Sequence, residues 1–215
     1  MLAHERPDLC ARLARHIITS GGSLVIHVDE KAPAGFKEDM LSRMEGDLAR
    51  IFWARRERVY WGEWSIVQAT LNGLQEIEAQ NIDPDYVYLL SGSDYPIRPL
   101  SQLAEFLRRR PDTEYIDLHD AEATQWVIGG PQVERYRYRH WFNWRVHTRL
   151  FDLSLKLQQK LNLKREMPDG LHPYIGAQWW VLTWTTCKTV LERARDPALV
   201  KFFRTTWIPD ELFFH

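Results

Sequence analysis

The sequence predicts an α/β fold with a mainly parallel, doubly wound sheet flanked by helices. Three observations carry that expectation. Between residues 8 and 118, short β-type runs alternate with segments of helical period. The two best runs, 24–29 (LVIHVD) and 85–90 (DYVYLL), are apolar almost throughout, as strands covered on both faces are. Each leads into a polar or acidic turn, which is where open α/β sheets keep their ligands.

The elements follow in order. Residues 1–4 read as the tail of a strand. Positions 8–18 place Leu9, Leu13 and Ile17 on one helical face, and Gly21-Gly22 stops that helix. The strand at 24–29 ends in Asp29. Residues 36–48 have helical spacing through Phe36, Met40, Leu41, Met44 and Leu48. A weak strand at 51–54 and a helix at 64–80 (Val67, Leu71, Leu74, Ile77) precede DYVYLL and its turn SGSDYP. A helix at 101–110 has arginines at its C-terminal end and Pro111 beyond them, and EYIDL (114–118) reads as a strand.

Residues 131–165 differ in character. They hold nine Lys and Arg against Glu134 and Asp152. Arginines first interleave with aromatic residues, and then an amphipathic helix carries Leu153, Leu157 and Leu161. An aromatic β-like run, GAQWWVLTWTT (176–186), precedes a short helix from Lys188 to Arg195. The closing stretch is TTWIPDELFFH. Pro209 suits the first position of a helix, and Asp210 and Glu211 put negative charge in its first turn, where the helix dipole favours it.

Composition narrows the function classes. The 215 residues suffice for a single domain, and 45% apolar with 27% charged residues is ordinary for a globular chain. A formal net charge of −1 does not favour nucleic acid as a partner. No apolar run is long enough to span a membrane, and the opening MLAHERPDL is too charged for a signal peptide. Cys10 and Cys187 are the only cysteines, which fits a reduced compartment. The expectation is a cytoplasmic chain, peripheral at the membrane at most. A Golgi-luminal placement is the alternative if the parent is anchored.

Each candidate site has a plain structural reading beside the functional one. Asp29 at a strand end suits a ribose or base edge, or simply a cap for the next turn. The SGSDYP turn lets the backbone approach a ligand. It lacks the Gly-x-Ser-x-Gly of a hydrolase elbow and the Gly-Lys-Ser/Thr of a phosphate loop. Its single carboxylate, Asp94, is poor provision for a hard cation. The Arg/aromatic segment 135–151 suits an anionic or carbohydrate partner, single-stranded nucleic acid, or a solvated face over a packed helix. Of Trp179 and Trp180, alternation along a strand would bury one and leave the other to line a pocket.

Taken together, IHVDEKA, VYWGEWSIVQATL, YLLSGSDYPIRPLSQLAEFL, GAQWWVLT and IPDELFFH resemble the core-2/I-branching β-1,6-N-acetylglucosaminyltransferase and peptide O-xylosyltransferase family, glycosyltransferase family 14. The motifs occur in order over nearly the whole chain and look closer to bacterial members. The resemblance implies a GT-A-like fold and inverting transfer of GlcNAc or xylose from UDP-GlcNAc or UDP-xylose to a glycan or peptide acceptor. It implies no metal, which agrees with Ser-x-Ser-Asp where many sugar transferases carry Asp-x-Asp. Carried over by motif, Asp29 and Trp61 contact the uridine, Ser93 and Asp94 shape the donor pocket, and Gln178 and Trp179 face the sugar. The xylosyltransferase form has Asp where Gln178 stands, so both donors stay open. Asp117 and Arg135 are acceptor contacts, and Glu211 is the catalytic base.

The chemistry supports Glu211 independently. Inverting transfer is one in-line displacement and asks for a single carboxylate opposite the leaving group. A glycosidase-like carboxylate pair is less apt, because UDP leaves without the protonation an alkoxide requires. Asp210 is then expected to cap the turn. The departing diphosphate needs cationic neutralisation. The family places it after the PDE motif, so the chain is expected to be one glycosyltransferase domain, 1–215, lacking its first strand's start and its C-terminal part. The competing expectation is a non-catalytic carbohydrate-binding module that uses the Arg/aromatic segment 135–151.

Overall fold

The computed structural model describes residues 1–44, 48–123 and 133–215. In chain order the elements are β1 (Leu2–Ala3), α1 (Pro7–Thr19), β2 (Leu24–Val28), α2 (Phe36–Ser42), β3 (Ile51–Trp53), α3 (Trp64–Ala79), β4 (Tyr86–Tyr88), α4 (Leu100–Arg108), β5 (His119–Asp120), α5 (Glu134–Arg137), α6 (Thr148–Lys160), β6 (Tyr174–Ile175), β7 (Val181–Thr183), α7 (Trp184–Arg193) and α8 (Pro197–Phe203). Short 3₁₀ turns occur at Leu48–Arg50, Pro168–Gly170 and Pro209–Glu211. The architecture is mixed α/β, with a parallel three-stranded sheet flanked by helices, as a GT-A-like fold requires. The residues group into two compact units. One comprises Met1–Val59, Gln68–Tyr115 and Val181–Cys187, the other Tyr60–Val67, Ile116–Trp180 and Lys188–His215.

In the first unit β1, β2 and β3 pair in parallel, with Leu2 opposite His27 and Leu24 opposite Ile51. The pairing continues past β1. Leu2 N–H donates to the Leu90 carbonyl and Gly92 N–H to the Leu2 carbonyl, each at 2.8 Å. β4 then pairs antiparallel with β7. Cys10, Leu13 and Ala14 of α1, Ile26 of β2 and Met40 of α2 are almost fully buried and form the centre of this core. Pro7 begins α1 without wasting an N–H, and Asp8 sits in its first turn. Gly92 is required by space: a Cβ there would lie 2.6 Å from the buried Cys10 sulfur.

Two expectations change here. EYIDL is not a regular strand. Only Tyr115 pairs, exchanging two 2.9 Å bonds with Val181. Its neighbour Glu114 instead caps the start of α7. That carboxylate accepts from Thr183 N–H at 2.8 Å and from the Thr183 and Thr186 hydroxyls at 2.6 Å. The helix expected over 36–48 stops at Ser42, and residues 45–47 lie outside the described residues.

In the second unit β5 and β6 form a short antiparallel pair. Two side chains hold the irregular backbone. Gln158, buried on α6, donates to the Arg139 carbonyl at 2.8 Å and accepts from its N–H at 2.9 Å. Arg165 makes five bonds of 2.7–3.0 Å, to the carbonyls of Tyr136, Phe202 and Thr205 and the hydroxyls of Thr205 and Thr206. Its guanidinium also lies 3.9 Å above the Phe202 ring. The helix α6 forms as the spacing predicts, but it buries Phe151 and Gln158. Leu153, Leu157 and Leu161 are 64%, 53% and 56% exposed.

Candidate active site

Three of the sequence-predicted residues belong to the first unit. Asp29 follows β2 and is buried. One carboxylate oxygen accepts from Lys31 N–H at 2.8 Å, and the other is 3.9 Å from the Lys31 ammonium. Its backbone carbonyl accepts from Arg56 Nη2 at 2.7 Å. His27, two residues earlier, is part of the same fixture. Its Nε2 accepts from Glu57 N–H at 2.9 Å, and burial lowers its pKa to about 4, so the ring stays neutral. Ser93 and Asp94 are exposed on the turn after β4. Asp94 accepts from Ser91 N–H at 2.8 Å, and the Ser91 and Ser93 hydroxyls bond at 2.9 Å. The carboxylate thus reaches back three residues to close the loop, with Ser91 half-buried and Ser93 exposed.

The remaining predicted residues belong to the second unit. Glu211 ends the 3₁₀ turn Pro209–Glu211. Its side chain is 24% exposed, and Oε2 lies 2.5 Å from Nη1 of Arg135, whose side chain is only 7% exposed. The Arg135 guanidinium also lies 5.8 Å from the centre of the Trp207 ring. The turn is tightly located on its other sides. Trp207 N–H donates to the Arg135 carbonyl at 3.0 Å, Ile208 N–H to the Gly62 carbonyl at 3.1 Å, and Gly176 N–H to the Glu211 carbonyl at 3.2 Å.

Ile208, immediately before the turn, has φ 52° and ψ 60°. A β-branched residue in left-handed backbone is strained by order 1–3 kcal/mol, and such strain persists only where the surroundings over-determine it.

Asp117 enters this neighbourhood through its backbone. Its carbonyl accepts from Nδ1 of His215 at 2.8 Å, and a Cβ at Gly176 would lie 2.2 Å from that oxygen. Gln178 is half-buried. Trp179 is 42% exposed whereas Trp180 is 2% exposed, the burial difference expected for that pair, although both precede β7 and neither lies in a strand. Trp61 is 43% exposed, with the Arg145 guanidinium 4.0 Å over its ring and Trp144 edge-on at 5.7 Å. The second unit therefore brings Arg135, Glu211, Gly176 and Asp117 together.

A cavity of about 260 Å³ in the same unit is lined by Glu63, Asn143, Trp144, Thr206 and Trp207, among others. Asn143 in that lining donates to Glu63 at 2.6 Å and accepts from Arg145 N–H at 2.9 Å. The indole N–H groups of Trp144 and Trp207 are buried and have no partner among the described residues. Aromatic faces beside a carboxylate and an amide suit the apolar and hydroxylated faces of a sugar.

Several features here were not foreseen from sequence. Asp210 is not a simple cap. It is buried, and its Oδ1 has no partner among the described residues. Burial raises its pKa to about 7, with the Glu211 charge adding in the same direction. Asn143 carries no motif signal, and Ile208 opens IPDELFFH without any sign of its backbone conformation. Arg165 was hidden in a basic stretch that reads as a solvated or ligand-binding face.

Comparisons with known proteins identify the family. Residues 2–215 match the family described as Core-2/I-Branching enzyme. Sheep beta-1,3-galactosyl-O-glycosyl-glycoprotein beta-1,6-N-acetylglucosaminyltransferase 3 is 24% identical over 98% of this chain and 44% of its own length. The human protein of the same name gives the same values, 24%, 98% and 44%. So does the beta-1,3-galactosyl-O-glycosyl-glycoprotein beta-1,6-N-acetylglucosaminyltransferase of bovine herpesvirus 4 (strain LVR140), at 24%, 98% and 44%. The chain thus spans under half the length of these curated relatives. On the match over residues 2–215, the chain belongs to the core-2/I-branching enzyme family.

Proposed function

We propose that the chain carries the base and the nucleotide-contacting residues of an inverting glycosyltransferase. It moves GlcNAc, or xylose, from a UDP-sugar to a hydroxyl of a glycan or peptide acceptor, without a metal. The observation that carries this reading is the Glu211 carboxylate, part-exposed and held by the buried guanidinium of Arg135. A general base must be fixed in position yet reachable by the acceptor hydroxyl. In this reading Glu211 takes the proton from that hydroxyl as its oxygen attacks the anomeric carbon opposite the departing UDP. Asp29 and Trp61 contact the uridine, Ser93 and Asp94 shape the donor pocket, and Gln178 and Trp179 face the sugar. Asp117 and Arg135 serve the acceptor side, Arg135 by presenting Glu211.

The test is UDP release and product formation by the full-length protein, with Glu211→Gln beside the wild type. The expected loss is about 10²–10⁴-fold in kcat. An unchanged rate would remove Glu211 from the mechanism.

The aromatic cavity favours one second reading, a carbohydrate-binding module centred on the segment 135–151. That reading requires glycan binding indifferent to UDP. Calorimetry with UDP, UDP-GlcNAc and UDP-xylose separates the two, because the transferase reading requires heat with at least one of them.

A further inference from the structure

The exposed face of α6 does not belong to the site above. At 3.6 residues per turn, Leu150, Leu153 and Leu157 fall within an arc of about 60° on this helix. They are 46%, 64% and 53% exposed. Leu161, just past the last helical residue, and Val146, two residues before the first, are exposed as well. Arg149, Lys156 and Lys160, also exposed, fall within an adjoining arc of about 40° by the same rotation. The helix is anchored from its opposite side, where Phe151 and Gln158 are buried. A leucine stripe is therefore held outward beside a row of cations.

We propose that this face of α6 lies in the interface of an anionic lipid bilayer, with the leucines entering the acyl boundary and Arg149, Lys156 and Lys160 meeting acidic headgroups. The charge arrangement selects this partner. A helix with leucine on one face and cations along its edge has the pattern of interfacial helices, which bind by apolar burial plus attraction to anionic lipid. The stretch 131–165 is cation-rich, with nine Lys and Arg against two acids; Arg135 and Arg165 are engaged inside the unit, whereas Arg149, Lys156 and Lys160 stand exposed on α6. With Phe151 and Gln158 buried on its inner side, α6 meets a bilayer only along its outer face, in the plane of the surface.

The test is flotation of the full chain with vesicles of phosphatidylcholine alone and of equal parts phosphatidylcholine and phosphatidylglycerol. The expected result is binding to the anionic vesicles that weakens as salt rises. The pair Leu153→Gln/Leu157→Gln should lower partitioning by at least about tenfold, since each leucine forfeits most of its burial. The pair Lys156→Gln/Lys160→Gln should lower it and flatten the salt dependence. Both pairs change exposed positions, and unchanged circular dichroism confirms that they fold. Failure of the wild type to float, or flotation unaffected by the leucine pair, would overturn the proposal. Sedimentation showing a dimer that the leucine pair dissociates would also overturn it, by assigning the face to a second copy.

Discussion

Arg135 and Glu211, separated by 76 positions, meet at 2.5 Å through one guanidinium nitrogen and one carboxylate oxygen. The arginine is the buried partner and the carboxylate the accessible one. Glu211→Gln keeps an oxygen that can accept from Arg135, so the turn stays anchored while the proposed base is lost. The expected outcome is a melting temperature within a few degrees of wild type and a fall of about 10²–10⁴ in kcat with little change in donor KM. Arg135→Leu should behave differently. It removes the anchor, leaves Glu211 unpaired, and lowers both kcat and thermal stability. Parallel melting curves and rate measurements on the two variants distinguish a reacting group from a positioning one.

Asp210 makes a prediction about pH. Its folded-state pKa, raised to about 7 by burial, lies above its ordinary 3.8. Between those values the folded chain keeps a proton that the unfolded chain releases. This group's contribution is therefore fully present below pH 4 and is lost as pH rises to 7. The loss is at most roughly 4 kcal/mol, from about 1.4 kcal/mol per pKa unit. His27 and His140 oppose it. Burial lowers each to about 4, so between pH 4 and 6.5 their contribution grows as pH rises. The difference between wild type and Asp210→Asn isolates the carboxyl. In urea unfolding across pH 4–8, the variant should gain stability relative to wild type as pH rises, and the gain should level off above pH 7.

Arg165 carries the largest structural role in the basic stretch. Burial, followed by the Arg139 charge, lowers its pKa to about 10, which leaves it charged at neutral pH. Five hydrogen bonds compensate that buried charge, and lysine offers three donors without the planar fork. Arg165→Lys should therefore destabilise by about 2–4 kcal/mol, as read from the midpoint of urea unfolding. Arg145→Lys, at an exposed position over Trp61, should stay within about 1 kcal/mol.

The parts of the fold legible in sequence are those where local pattern and tertiary burial agree. The apolar run 24–29 and the helical spacing at 8–18 and 64–80 all became the expected elements, because their apolar faces are the ones the core uses. EYIDL failed because strand-like composition does not reveal that Glu114 is occupied in capping α7. The leucine spacing on α6 correctly gave a helix but not its orientation, since period alone cannot say which face meets a neighbour. At the site, PDE marked the turn through proline and acid chemistry that any sequence shows. The Arg135 partner, the strained Ile208 and the burial of Asp210 depend on contacts across 76 positions or on backbone dihedrals, and neither leaves a local pattern.

The SGSDYP turn yields the prediction about metal. A hard divalent cation takes six or more oxygens, and one or two protein carboxylates usually stand among them. Here the one carboxylate, Asp94, already accepts from Ser91 N–H, and the neighbouring oxygens are neutral hydroxyls that bond one another. That arrangement stiffens a loop but supplies little charge to oppose a cation. In the proposed reaction the negative charge of the departing diphosphate then falls to cationic side chains. Transfer by the full-length protein should be unchanged by EDTA and not stimulated by Mn²⁺. Asp94→Asn retains a side-chain oxygen for the Ser91 N–H, so it should alter donor KM only modestly. Asp94→Ala opens the turn and should raise KM more. Loss of activity in EDTA with recovery on adding Mn²⁺ would show that the turn, or residues recruited to it, holds a metal after all.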